Sequence, residues 1–269
     1  MDQPLTWKPT KDFDGFTQLL NFKLPDGEIV PVGITDIDEW VQYGIRICIN
    51  YSSQIGASIV LLVVLLILTN PEKRRTAIFV LNCVTLALNA IQRLLQCLYF
   101  TGAFYNPYAY FSGDYSRVSS NAVAISVAGV VLQTLQIICL ETSLVLQVRA
   151  VCVTMARIWQ AVILVASVLV AGVVVGFRIA VTILNSESIV AIDSFASYQW
   201  LAATSLYTLT ASICFFSAIF TGKLLVALRQ RRKLGLKKFG PMQIIFIMGC
   251  QTLIIPGELF DHCLPPYWS

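Results

Sequence analysis

The chain has 269 residues, of which 57% are hydrophobic and only 13% are charged. Soluble domains average about 25% charged residues, so this composition excludes an ordinary soluble protein and predicts an integral membrane protein. The net charge is only +4, and the one histidine, His262, argues against histidine-based catalysis and a multi-histidine metal site. The eight cysteines contain no CxxC spacing. We therefore predict no metal and no other cofactor.

Residues 1–41 are polar and contain no apolar run that resembles a signal peptide. Pro25, Gly27 and Pro31 predict turns or short strands in this segment rather than a large domain. Trp40 stands at its end, where an interfacial aromatic residue is expected. We predict that this segment is extracellular.

Six apolar stretches follow, each long enough to cross a hydrocarbon core of about 30 Å at about 1.5 Å per residue. The predicted spans cover residues 42–69, 77–100, 122–147, 158–183, 200–228 and 240–264, and residues 265–269 form a short tail. The predicted fold is therefore all-α, a polytopic bundle of transmembrane helices.

Small and polar residues interrupt the apolar spans. Ser52 and Gly56 lie four residues apart in the first span, a spacing that lets two helices approach closely. It is compatible both with dimerisation and with packing inside one chain. Asn82, Asn89 and Arg93 recur at helical spacing in the second span, and we expect them to face the bundle or its outer mouth, because lipid disfavours them.

Positively charged residues predict the orientation, because Lys and Arg accumulate on the cytoplasmic side. The loops assigned to the inside hold twelve of them, against four in the segments assigned to the outside. The densest group is Arg229, Arg231, Arg232, Lys233, Lys237 and Lys238. This distribution predicts an extracellular amino terminus.

Three parts of the chain resemble the fungal alpha-factor-type mating pheromone receptors, a family of G-protein-coupled receptors. They are IFVLNCVTL (78–86), LETSLVLQV (140–148), and the pair LRQRRKLGLKKF (228–239) and IMGCQTLIIP (247–256). The resemblance implies a seven-helix, multi-pass receptor of the plasma membrane. It also implies a secreted peptide pheromone as ligand and a heterotrimeric G protein as partner, with membrane lipids around the bundle.

The resemblance also implies roles for individual residues. G-protein contact is expected at Arg231, Arg232, Lys237 and Lys238, an activation switch at Asn82, Gln147, Gln251 and Pro256, and a homodimer interface at Ser52 and Gly56. Pheromone contact is expected at Gln133, Tyr198, Trp200, Asn89 and Arg93. Each set also has a simpler interpretation: the cations set topology and attract anionic lipid, the amides stabilise helix packing, and the aromatics anchor the chain at the interface.

The sequence departs from the family pattern near its end. Leu264 stands where a tyrosine is expected, and no seventh apolar segment follows, which predicts a truncated form. Two alternatives to a signalling receptor stay open: a non-signalling form that dimerises with the full-length receptor and modulates it, and an unrelated six-helix transporter subunit. An enzyme is not predicted, because the HExxH, GxxxxGK[ST] and GxSxG motifs are absent. Nor is a nucleic-acid partner expected.

Overall fold

The computed structural model of the protein describes residues 14–24, 26–153, 155–191 and 198–233. Within these ranges it contains a two-stranded sheet, five long α-helices, one short α-helix and three short 3-10 helices. The strands are β1 (Leu19–Lys23) and β2 (Ile29–Gly33), and the helices are α1 (Ile34–Leu68), α2 (Ala77–Thr101), α3 (Pro107–Ser112), α4 (Ser120–Cys152), α5 (Arg157–Ala191) and α6 (Gln199–Lys233).

The five long helices α1, α2, α4, α5 and α6 are each long and apolar enough to cross a membrane. They correspond to the first five predicted spans, and the all-α polytopic prediction is confirmed to that extent. The predicted sixth span, residues 240–264, lies outside the described residues, as do Lys237, Lys238, Gln251 and Pro256.

Several helices are longer than the apolar stretches that predicted them. The helix α1 begins at Ile34, so its first two turns lie in the segment predicted to be irregular. The helix α5 continues to Ala191, through residues predicted as a loop, and α6 continues to Lys233. A helix satisfies its own backbone hydrogen bonds in water as well as in lipid, so hydropathy marks only its membrane-embedded part.

A short β-hairpin precedes α1. The strands β1 and β2 pair antiparallel, with Phe22 opposite Val30. The turn closes through Leu24, whose backbone N–H donates to the carbonyl of Glu28 at 2.8 Å. Gly27 has φ of +91°, a conformation that glycine adopts at little cost. The turn expected from the proline and glycine spacing is therefore present.

The chain divides into two compact units. The first comprises Met1–Leu65, Leu86–Gln133 and Ile189–Asp193, and the second comprises Leu66–Thr85, Thr134–Ser188 and Ser194–Ser269. In the second unit, Val148, Cys152 and Phe216 form a fully buried cluster between α4 and α6. Close packing of this kind stabilises helix association in a bilayer, where the apolar lipid offers little hydrophobic driving force.

Candidate functional site: polar contacts between the helices

A chain of three polar side chains joins α2 to α4 in the second unit. Ser143, only 1% exposed, donates its hydroxyl to Asn82 Oδ1 at 2.6 Å. Gln147 lies one helical turn further along the same face of α4, and its Nε2 donates to Ser143 Oγ at 3.1 Å. Asn82 and Gln147, both predicted as switch residues, are thus linked through a serine that sequence reasoning missed.

A second polar contact joins α4 to α6 in the same unit. Ser212 Oγ lies 2.8 and 2.9 Å from the two carboxylate oxygens of Glu141. Both residues are at most 1% exposed. Glu141 and Ser143 are two residues apart, which places them about 200° apart around the helix. The helix α4 therefore presents one polar residue to α2 and another, on the opposite face, to α6.

In the first unit, Asn89 joins α2 to α1. Its Nδ2 donates to Ser58 Oγ at 2.7 Å, and Ser58 donates in turn to the backbone carbonyl of Gln54 at 2.8 Å. Ser58 is 4% exposed. Asn89, which was predicted to contact the pheromone, is therefore engaged in a helix–helix hydrogen bond.

Arg93 lies one turn beyond Asn89 on α2. Its guanidinium stands over the ring of Tyr51, 5.0 Å from the ring centroid, and its Nη1 donates to Gln96 Oε1 at 2.8 Å. The neighbouring Gln92 is fully buried, and its side-chain amide has no hydrogen-bond partner among the described residues. This part of α2 therefore concentrates a cation and an unsatisfied amide, both of which lipid disfavours.

An aromatic cluster lies around Trp40, near the amino-terminal end of α1. Trp40 is stacked on Tyr105 with centroids 4.5 Å apart and on Tyr110 with centroids 3.8 Å apart. The hydroxyl of Tyr105 donates to the carbonyl of Trp40. Burial raises the pKa of Tyr105 to about 12 and outweighs a backbone hydrogen bond from Gly44, which acts in the opposite direction.

The same cluster holds the β-hairpin. Phe22 packs against Tyr108 and Phe111, with centroids 5.9 and 6.1 Å apart. The hydroxyl of Tyr108 donates to the carbonyl of Lys23 at 2.9 Å. Tyr108 and Phe111, which lie between the second and third predicted spans, belong to the short helix α3 and fix the hairpin to it.

The remaining predicted ligand residues belong to different units of the chain. Gln133 is half-buried and, with Asn89 and Arg93, belongs to the first unit. Tyr198 and Trp200, which are 39% and 64% exposed, belong to the second unit at the start of α6. Exposed aromatics of this kind fit the interface-anchor interpretation as well as ligand contact.

The predicted dimer residues lie on an open face of α1. Ser52 and Gly56 are exposed, and a Cβ added at Gly56 would meet nothing within 4 Å among the described residues. Packing inside the chain, one of the two interpretations of this pair, therefore finds no support in the described part of the structure. Arg231 and Arg232 fall in the last turn of α6 rather than in a loop.

Five membrane-length helices, four of them joined by the interhelical hydrogen bonds described above, follow an aromatic-anchored hairpin and define a polytopic α-helical membrane protein. Residues 13–260 match the family model of the fungal pheromone mating factor STE2 GPCR. The match covers most of the chain, and the chain belongs to this family of G-protein-coupled receptors.

Individual relatives agree with the family match. The chain is 28% identical over 256 residues to the pheromone alpha factor receptor of Lachancea kluyveri, a match that covers 95% of this chain and 58% of that protein. It is 26% identical over 242 residues to the pheromone P-factor receptor of Schizosaccharomyces pombe, a match that covers 86% of this chain and 67% of that protein. It is 28% identical over 220 residues to the pheromone alpha factor receptor of Saccharomyces cerevisiae, a match that covers 79% of this chain and 49% of that protein. The chain thus spans about half to two thirds of the length of these relatives.

Proposed function

We propose that this protein binds a secreted peptide mating pheromone at the plasma membrane and transmits binding to a heterotrimeric G protein. The observation that carries the proposal is the hydrogen-bonded Asn82–Ser143–Gln147 network, in which Ser143 is buried, within a chain that belongs to a pheromone receptor family. Membership of this family also argues against an unrelated transporter subunit.

The network is suited to a two-state switch. An interhelical hydrogen bond in a membrane contributes about 0.6 to 2 kcal/mol. Because each 1.4 kcal/mol is a factor of ten, gain or loss of one such bond changes a conformational equilibrium by about 3- to 30-fold. A ligand that favours the arrangement without these bonds would therefore shift the population of α2 and α4 measurably.

Charge supports an orientation with the amino terminus outside. The connection between α1 and α2 carries Lys73, Arg74 and Arg75, and the junction of α4 and α5 carries Arg149 and Arg157. Along the chain, these basic connections and the basic end of α6 are separated by connections that hold few cations. The positive-inside rule predicts this alternation for loops on opposite sides of a membrane. In this orientation, Arg231 and Arg232 lie on the cytoplasmic side and contact acidic groups of the G protein.

The pheromone is proposed to contact the outer half of the bundle. Arg93 and Asn89 support this assignment, because polar residues inside a membrane segment commonly mark ligand pathways. Gln133, Tyr198 and Trp200 complete the proposed set of contacts. The exposed Ser52–Gly56 face supports a homodimer through α1.

The test is expression in a budding-yeast strain that lacks its own pheromone receptor but keeps the G protein and a transcriptional reporter. Synthetic alpha factor and P-factor, the ligands named for the relatives, serve as probes. We expect a dose-dependent reporter signal with at least one peptide. The double substitution Arg231→Glu with Arg232→Glu should abolish this signal without lowering surface expression.

The matched control is Arg149→Glu with Arg157→Glu, which makes the same change in charge at the other junction predicted to be cytoplasmic. It should retain most of the response. Absence of any peptide response at normal surface expression, combined with no ligand-independent signal from Ser143→Ala, would contradict the receptor proposal.

A further inference from the structure

The first unit contains a groove between α1, the end of α2 and the start of α3. Its volume is about 600 Å³, inside the range of about 300 to 1,000 Å³ that is usual for ligand pockets. Its walls include Ile45, Cys48, Ile49, Phe100 and Tyr105. Apart from Ser52, at its inner edge, it shares no residue with the sites proposed above.

The groove follows the amino-terminal part of α1. Its lining residues on α1 run from Val41 to Ser52, a distance of about 17 Å at 1.5 Å per residue. Arg46, which is exposed within this stretch, is the last charged residue of α1. The Val41 end therefore lies at headgroup level and the Ser52 end in hydrocarbon.

The chemistry of the lining fits a neutral molecule with one hydroxyl group. None of the described lining residues is charged, so a phosphate headgroup would find no cation among them. At the headgroup end, the hydroxyl of Tyr105 donates to the carbonyl of Trp40, and that of Thr101 donates to the carbonyl of Leu98. Both oxygens keep lone pairs that can accept a hydrogen bond.

The shape of the groove fits a rigid body better than a flexible chain. The rings of Phe100 and Tyr105 meet edge to face, with centroids 4.9 Å apart, and form a fixed wall. Ile45 and Ile49, which are 47% and 65% exposed, form the opposite, open rim. A rigid ring system loses little conformational entropy on entering such a groove, whereas a flexible acyl chain loses more.

From these observations we propose that the groove binds a membrane sterol. Its hydroxyl donates to Tyr105 or Thr101, and its ring system lies along Ile45 and Ile49. The sterol bridges α1 and α2 beside the aromatic cluster of Trp40. The proposal does not depend on the identity of the pheromone.

The test uses the full chain in nanodiscs of phosphatidylcholine with a photoreactive sterol. We expect cross-links on the α1 residues of the groove and near Phe100, and we expect unlabelled sterol to remove them. Cys48→Phe fills the groove and should reduce labelling about tenfold, equivalent to about 1.4 kcal/mol. The control Ile59→Phe, on an exposed part of α1 outside the groove, should leave labelling unchanged.

A second groove-filling variant, Ile45→Trp, keeps the test decisive if Cys48→Phe does not fold. The proposal is overturned if photoreactive phosphatidylcholine labels the same residues and sterol does not displace it, which would indicate ordinary lipid. It is equally overturned if the groove takes no sterol label while Cys48 forms a disulfide between copies, which would indicate a second copy as the occupant.

Discussion

Ser212 Oγ lies within hydrogen-bonding distance of both carboxylate oxygens of Glu141, at 2.8 and 2.9 Å, where α6 packs against α4. A hydroxyl has one hydrogen, so this single donor is shared between two buried acceptor atoms. A buried carboxyl whose one side-chain partner among the described residues is a serine is sensitive to the loss of that partner. The pair is therefore a sensitive point in the packing of the second unit.

We predict that Ser212→Ala destabilises the protein by about 1 to 3 kcal/mol, because Glu141 loses its hydroxyl partner while it stays buried. Glu141→Gln should cost less, because the isosteric amide can still pair with Ser212. Thermal unfolding in nanodiscs measures both. The double substitution Ser212→Ala with Glu141→Leu should recover part of the loss, because it removes both polar partners together. The control is Thr210→Ala, because the hydroxyl of Thr210 bonds the backbone of its own helix. If Ser212→Ala lowers the unfolding temperature no more than Thr210→Ala does, the prediction is contradicted.

Ser143→Ala should raise ligand-independent signalling. The substitution removes the atom that both Asn82 and Gln147 contact, so the arrangement described here loses up to two hydrogen bonds. Because we propose that the ligand favours the arrangement without these bonds, their loss should destabilise the ligand-free state by about 0.6 to 2 kcal/mol per bond. The basal reporter signal in the yeast strain measures this effect.

Thr142→Ala is the matched control for Ser143→Ala. Thr142 is the adjacent residue on α4, is exposed, and donates its hydroxyl to the carbonyl of Ile138 in its own helix. It should leave the basal signal unchanged, and Ser143→Thr should restore the wild-type level if the hydroxyl is what matters. Equal basal signals from Ser143→Ala and Thr142→Ala would rule out the network as a switch.

The sequence predicts the membrane helices well and their mutual contacts poorly. Lipid exposure requires long apolar segments, so composition alone reveals five of the helices. Asn82 and Gln147 stand out because amides are rare in lipid. Ser143 and Ser212 do not stand out, because a serine hydroxyl can bond its own helix, as Ser167 bonds the carbonyl of Ile163. Only the packing of the helices shows whether a serine bonds its own helix or a neighbouring one.

The aromatic cluster illustrates the same limit. Trp40 was expected as an interface anchor, and nothing in its sequence context identifies Tyr105 and Tyr110 as its stacking partners, more than sixty residues away. Gly44 is important only because the ring of Tyr105 packs against it. Long-range pairs of this kind depend on how the helices and the hairpin pack, which local periodicity does not encode.

Gly44→Ala should destabilise the first unit. A Cβ at Gly44 would lie 2.5 Å from Cε1 of the Tyr105 ring, so the aromatic cluster must move. Overpacking of this kind typically costs about 1 to 3 kcal/mol. Gly222→Ala on α6, where an added Cβ meets nothing within 4 Å among the described residues, should be neutral or stabilising by up to about 1 kcal/mol. Unfolding temperatures measured side by side test the contrast, and equal shifts would contradict it.

Dimerisation through α1 predicts that Ser52→Leu with Gly56→Leu lowers resonance energy transfer between tagged copies. Larger side chains prevent the close approach of two helices that small residues permit. The pair Gly172→Leu with Gly176→Leu on α5 is the control, since a Cβ at either glycine also meets nothing within 4 Å among the described residues. Undiminished transfer for the α1 pair, at matched expression, would remove the support for this interface.

The stability of the first unit should fall at alkaline pH through Tyr105. Burial raises the pKa of its phenol to about 12, above the ordinary value of about 10 for an unfolded chain, so folding favours the neutral form. This contribution is fully present below about pH 10 and is lost as the pH rises through about 12, because the unfolded state ionises first. Unfolding temperatures recorded across this window measure the loss. Tyr105→Phe should lower the unfolding temperature at neutral pH, because the bond to Trp40 is lost, and should flatten the alkaline decline. An identical alkaline decline in both proteins would assign the effect to other groups.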